Sequence, residues 1–162
     1  MSGTYGKPAP EGATAQGFRT FEDLEVYQVA REFRKEMYAV ARGLPAFEKF
    51  GLADQIRRAA VSVTNNIAEG HGRYHYLEQI KFTLYSRGSV EELQDELNVC
   101  ADEGYLPDTE IERLKTLSCS VHKLINGYLC YLRERKCGHS LQLKESPGTN
   151  DFELEDLFSN EL

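Results

Sequence analysis

The run Gln55-Ile56-Arg57-Arg58-Ala59-Ala60-Val61-Ser62-Val63-Thr64-Asn65-Asn66-Ile67-Ala68-Glu69-Gly70 reads as one amphipathic helix. Starting from Leu52, the residues Ile56, Ala59/Ala60, Val63 and Ile67 fall at steps of three and four, the period of a single buried stripe. The same run carries two arginines, a row of small residues and an Asn/Glu pair. Surface helices seldom need so many small residues together, whereas helices that press closely on neighbours do.

Similar stripes occupy the sequence on both sides. A first helix is predicted after Thr20, whose hydroxyl can cap while Asp23 sits three positions on. Val26, Val29/Ala30, Phe33, Met37, Val40 and Leu44 follow in phase, and Pro45 ends the element before Gly51. The second helix stops at Gly70-His71-Gly72. A third spans roughly residues 74–103 and closes at Gly104, with Pro107 just beyond. The fourth opens on Thr109 and Glu112, read as a capping box, and continues through Ile111, Leu114, Leu117, Val121, Leu124, Tyr128 and Leu132. Strand-type alternation is missing. Four long helices with short connections predict an all-α, antiparallel up-down-up-down four-helix bundle.

The chain of 162 residues suits one domain, and its 41% apolar and 28% charged residues are those of a soluble globular protein. No apolar run approaches bilayer length, and the N-terminus lacks a secretory pattern. Cys100, Cys119, Cys130 and Cys137 are scattered without C-x-x-C spacing, so a cytoplasmic location is expected. Residues 1–17, rich in Gly and Pro, form a flexible leader; residues 18–136 form the bundle; residues 137–162 form an acidic tail. The net charge of −7 is concentrated in that tail: residues 18–136 hold 17 Lys/Arg against 19 Asp/Glu, and residues 137–162 hold Lys144 against six acids. A near-neutral domain removes the simplest argument for non-specific nucleic-acid binding.

The third helix has more than one apolar side. Phe82, Val90, Leu93, Leu97 and Cys100 make one stripe, and Ile80, Leu84 and Gly88 another. The second stripe marks either a thick core or a subunit interface, and Gly88, which permits close helix approach, favours an interface including Ala59, Ala60, Leu84 and Gly88.

Several motifs in order carry a resemblance to a known family. They are the segment 55–70, Phe21-Glu22-Asp23-Leu24-Glu25-Val26-Tyr27, Phe50-Gly51-Leu52, Gly70-His71-Gly72-Arg73, Gly88-Ser89-Val90-Glu91-Glu92-Leu93 and Gly104-Tyr105-Leu106. Over residues 18–136 the chain resembles the four-helix-bundle proteins encoded in 23S rRNA intervening sequences. That family includes Avd, the accessory protein of diversity-generating retroelements. The resemblance implies a bundle assembled as a homo-oligomeric, pentameric ring, without catalysis. Its Avd branch implies binding to a reverse transcriptase and, through basic surface, to RNA or DNA. The expected function is therefore a non-enzymatic accessory scaffold. The alternative is a stand-alone structural bundle with no partner enzyme.

Candidate chemistry is sparse. Asn66 and Glu69, with Arg57 or Arg58 and Glu92, are placed to form a polar network across the second and third helices, one arginine turning inward to a carboxylate. A role in fixing helix register is favoured over catalysis. Metal binding is not expected: there is no Glu-x-x-His pair, and Cys119 with His122 is half a zinc site at best. No cofactor motif or nucleophile motif is present. In an up-down bundle Arg133, Arg135 and Lys136 lie near His71, Arg73 and His75, giving one end suited to anionic partners, and Arg57, Arg58, Arg73, Arg133, Arg135 and Lys136 are the expected contacts to nucleic acid or a partner. From Glu91 to Glu112 acids follow without a Lys or Arg, giving an acidic opposite end. In the tail, Phe152, Leu154, Leu157 and Phe158 stand among acids at 151–158. This pattern suits docking onto a partner or back onto the basic end, with an inert solubilising tail as the alternative.

Overall fold

The computed structural model describes residues 20–144, with side chains described through Cys137. The leader and the segment containing Phe152, Leu154, Leu157 and Phe158 lie outside the described residues. Four helices account for almost all of the rest: α1 (Glu25–Gly43), α2 (Leu52–His71), α3 (Tyr76–Asp102) and α4 (Asp108–Lys144). No strand occurs among the described residues. Each helix packs on its chain neighbours, and α4 returns to α1, so the order around the bundle is that of the chain. The antiparallel sense is set by pairs such as Ser62–Ser89 and Val63–Ser86 between α2 and α3, and Gln94–Ser118 and Glu91–His122 between α3 and α4.

The caps explain where the helices begin and end. The Thr20 hydroxyl accepts from the Glu22 amide, and the Asp23 carboxylate accepts from the Thr20 amide. This capping box starts a single 3-10 turn (Phe21–Asp23) instead of α1 itself, because Leu24 is extended and the α-helix resumes only at Glu25. At the end of α3, Gly104 takes φ +65°. The Tyr105 amide then reaches the Cys100 carbonyl at 2.9 Å and the Gly104 amide reaches Ala101 at 3.1 Å, the paired closure that a left-handed residue permits. α4 starts at Asp108, with the Ile111 amide bonded to the Pro107 carbonyl. Thr109 therefore lies inside the first turn and does not cap it. At the other end α4 continues through Lys144, past the boundary drawn at residue 136.

The core is the convergence of the predicted stripes. Phe33, Met37, Ile56, Ile67, Leu93, Leu97, Leu114, Ile125 and Leu132 are fully buried, each side chain contributing about 1.5–3 kcal/mol through removal from water. Ala59 and Ala60 are 2% and 0% exposed and belong to this core. Their assignment to a subunit interface is thereby corrected: small residues here let α2 sink between its neighbours within the protomer. Ile80 is buried too and Leu84 is partly buried against the core, so most of the second stripe of α3 is absorbed internally. Gly88 alone of that stripe is exposed, and a Cβ there would meet nothing within 4 Å.

α2 and α3 approach closely at Gly70. A Cβ at this position would stand 3.0 Å from the Phe82 Cβ and 3.3 Å from the Gln79 carbonyl oxygen. Gly70→Ala is expected to lower stability by about 1–3 kcal/mol, and Gly70→Val by more, despite the better helix propensity of both residues. Denaturant melts of the two variants check this, and unchanged midpoints would remove the close-approach argument.

Candidate functional site

Neither Arg57 nor Arg58 turns inward. Arg57 Nη2 donates to the Lys49 carbonyl at 3.0 Å and lies 3.3 Å from Asp54 Oδ1; Arg58 Nη1 lies 3.2 Å from Asp54 Oδ2. Asp54 is one turn back from both, whereas Glu69 is eleven or twelve positions on, roughly 17 Å along the helix axis. Glu69 instead pairs with Arg73 one turn later, and Glu92 is exposed. The expected Arg–Glu network of Asn66, Glu69 and Glu92 is therefore corrected. The bond that does cross between the helices is neutral. Asn66 Nδ2 donates to the Ser62 carbonyl at 2.9 Å and to Ser62 Oγ at 3.0 Å, and Ser89 Oγ donates to Ser62 Oγ at 2.7 Å. Ser86 Oγ adds a buried bond to the Val63 carbonyl at 2.8 Å. The signal was present as small hydroxyl residues three positions apart on α2–α3 faces, but charged residues drew the reading away from it.

A different carboxylate is buried. Glu96 is 5% exposed, and neither carboxyl oxygen has a hydrogen-bond partner. Burial pushes its pKa up from 4.5 to about 8, with the negative Glu92 and Asp95 adding to the rise and Arg58 opposing it. At neutral pH Glu96 is a protonated, uncharged acid, the form a desolvated site tolerates. Burial likewise pushes the Cys100 thiol up to about 11, with Glu96 and Glu48 reinforcing the shift, so this sulfur is an inert core group. In sequence Glu96 was one acid in a run of acids, and nothing local distinguished it from its solvated neighbours.

A cationic surface runs along α1, where Arg31, Arg34, Lys35 and Arg42 stand. Arg34, Lys35, Tyr38, Arg42 and Val61 line a groove of about 390 Å³ between α1 and α2. Arg34 Nη1 donates to Thr64 Oγ1 at 2.8 Å, which aims the guanidinium along the groove. Lys35 pairs with Glu32 at 2.7 Å. Arg34 and Arg42 have no carboxylate partner among the described residues. Their eight-residue spacing puts them about 12 Å apart on one side of α1, with Tyr38 midway. These positions were missed in sequence because they interleave with the apolar stripe of α1. Their i, i+4, i+8 spacing was the available signal.

At the bundle end, Arg135 and His71 line a common cavity of about 750 Å³ with Tyr76, Tyr128 and Tyr131. Arg135 stacks over the Tyr131 ring at 5.1 Å, and Arg73 over Phe82 at 4.8 Å. Arg133 and Lys136 are exposed on the same stretch of α4. Cys119 is exposed, and its neighbour His122 is engaged with Glu91 at 2.9 Å and Asn126 at 3.2 Å. Among the described residues no group of three or more His, Cys, Asp or Glu is arranged to hold a metal ion, and no helix is long and apolar enough to cross a membrane.

Residues 22–127 match the family model described as 23S rRNA-intervening sequence protein. No curated protein sequence matches the chain significantly.

The protonated Glu96 ties stability to pH. Its folded pKa of about 8 stands above the ordinary 4.5. Its contribution is therefore complete below pH 4.5, declines as pH rises towards 8, and is lost above it. The span is on the order of 5 kcal/mol at 1.36 kcal/mol per pKa unit. Glu96→Gln should flatten the decline between pH 5 and 9 and raise the melting temperature at pH 9. A variant that melts with the wild-type pH profile would show that Glu96 is not the titrating group.

Proposed function

The chain belongs to the 23S rRNA-intervening sequence protein family, and we propose that it works as a non-enzymatic, homo-oligomeric accessory scaffold that binds nucleic acid along the α1–α2 groove. The observation that carries the reading is the pair Arg34 and Arg42, lacking carboxylate partners among the described residues, with Tyr38 between them. Guanidinium forks match phosphate oxygens, and a phenol ring between them offers a stacking surface for a base. Such a groove concentrates positive charge locally although the domain as a whole is near neutral. The likeness to Avd supports a reverse transcriptase as the protein partner. The near balance of charge over residues 18–136 supports the second reading, a structural bundle without a partner enzyme. Co-purification from native cells separates the two: a reverse transcriptase recovered with the protein supports the first, and none the second.

The assembly we assign is five-fold, through the outward side of α3. Leu77 (37% exposed), Tyr85 (51% exposed) and Gly88 share that side within about a quarter turn. Exposed apolar groups beside a glycine suit close helix contact between copies.

Two measurements test these assignments. The wild-type protein should bind single-stranded RNA or DNA with salt-sensitive affinity. The double variant Arg34→Gln/Arg42→Gln should reduce the slope of log affinity against log salt by about 1.4, or 0.7 for each lost phosphate contact. An unchanged slope rejects the groove. For the assembly, Gly88→Trp should return the oligomer to single protomers in light scattering with helix content retained. Gly88→Ala should stabilise the protomer by up to about 1 kcal/mol, since its Cβ meets nothing in the chain. A wild-type protein that is monomeric at micromolar concentration rejects the interface.

A further inference from the structure

The cavity at the bundle end is built differently from the α1–α2 groove. Its floor is Leu24 and Leu132, and its walls are phenols and polar groups. The walls arise from the register of three elements. Tyr128, Tyr131, Leu132 and Arg135 are spaced i, i+3, i+4 and i+7 along one face of α4. Tyr76 and Gln79 are one turn apart at the start of α3, and Thr20 with Asp23 comes from the capped turn before α1. Leu132 is buried in the main core and Tyr76 and Tyr128 pack partly against it, whereas the polar members of the lining lie outside it. The volume of about 750 Å³ lies within the roughly 300–1,000 Å³ typical of small-ligand sites.

The chemistry of the lining is specific. The rings of Tyr128 and Tyr131 are nearly parallel, at 16° with centroids 6.1 Å apart. The Arg135 guanidinium lies 5.1 Å above the Tyr131 ring and interacts with the Tyr76 side chain, which pushes the arginine pKa up. Two contacts thus hold the guanidinium, while its planar fork has donors to spare for an anion. Gln79 Nε2 is committed to the Arg73 carbonyl at 2.8 Å, which leaves its amide oxygen as an acceptor. Asp23, whose Oδ2 already caps the Thr20 amide, offers its other carboxylate oxygen as a second acceptor, and His71 a ring nitrogen. An apolar ligand would strand this many polar groups, and a neutral sugar would leave the guanidinium without its anion. A planar heterocycle joined to a phosphate satisfies both halves: the ring stacks on phenol, its amino edge donates to carboxylate or amide oxygen, and the phosphate meets Arg135.

We propose that this cavity binds a single unstacked nucleotide, either a free nucleoside monophosphate or an unpaired nucleotide of a strand. The site shares no lining residue with the Arg34–Arg42 groove and stands whether or not that groove holds nucleic acid. Calorimetric titration of the full-length protein with AMP, GMP, CMP and UMP, and separately with a five-nucleotide single-stranded RNA, tests it. At least one of these ligands should bind saturably. Arg135→Gln and Tyr131→Leu should each weaken that binding by roughly tenfold, and Arg34→Gln/Arg42→Gln should leave mononucleotide binding unchanged. On wild-type protein, removing the phosphate (adenosine in place of AMP, or the matching nucleoside) should cost a comparable factor, a comparison that needs no variant to fold. Binding of mononucleotides identifies the free ligand. Binding of the pentanucleotide alone, weakened by the two pocket variants, identifies a strand. If no ligand binds, or if binding ignores both pocket variants and the phosphate, the assignment is overturned. Loss of the groove with retention of the pocket, or the reverse, shows which of the two sites has failed.

Discussion

The close approach of α2 and α3 is the constraint from which the rest of the bundle follows. At Gly70 the two helices come so near that a single Cβ would have to displace Phe82 or the backbone at Gln79. Further along, Ala59, Ala60 and Val63 on α2 and Val90, Leu93 and Leu97 on α3 belong to one buried core, and Ser62–Ser89 and Ser86–Val63 add short hydrogen bonds. Neutral hydroxyl pairs suit such a seam, because an ion pair of long side chains would hold the helices apart and carry a desolvation cost. With α2 and α3 locked in register, the short connections leave α1 and α4 to close the ring on the two remaining sides.

That register has an electrostatic consequence. Glu96 stands where α3 faces inward, in a segment whose other acids, Glu91, Glu92 and Asp95, face outward. The nearby positive group that opposes the rise in its pKa, Arg58, is held by Asp54 at 3.2 Å. The outward acids make the local potential negative and deepen the preference of Glu96 for its proton. The protein thus keeps an uncharged acid in its interior at neutral pH instead of a buried ion pair, and its stability is joined to the protonation of one group.

The positive surface is organised by the same packing logic. Arg34 is aimed by Thr64, Arg57 is drawn to Asp54 and the Lys49 carbonyl, Arg73 is drawn to Glu69, and Arg135 is held by Tyr131 and Tyr76. Short-range partners one turn away win over distant ones because a helix places i+3 and i+4 residues side by side. What distinguishes the α1–α2 groove is therefore not a surplus of cations in composition. Its guanidiniums, Arg34 and Arg42, have no carboxylate partner among the described residues, whereas Arg57, Arg58, Arg73 and Arg113 do.

Much of the architecture was legible in residue order alone. Period-3.6 stripes from Val26 to Leu132 marked four helices, Pro45, Gly51 and Gly104 marked their breaks, and Thr20 with Asp23 marked a cap, because each of these is a local property of backbone sterics or hydrophobic spacing. The motifs of segment 55–70 pointed to the family for the same reason: they are contiguous. Other features depended on which surface meets which. Ala59 and Ala60 suit a subunit contact equally well in sequence, and only their burial within the protomer core decides against it. Arg57 could have turned towards Glu69 until helix geometry put Asp54 nearer. Glu96 was one acid among many until its face of α3 was buried, and Arg34, Tyr38 and Arg42 became a groove only when α2 supplied its other wall. Burial and partnership are properties of pairs of elements, and one strand of residues does not contain the distance between them.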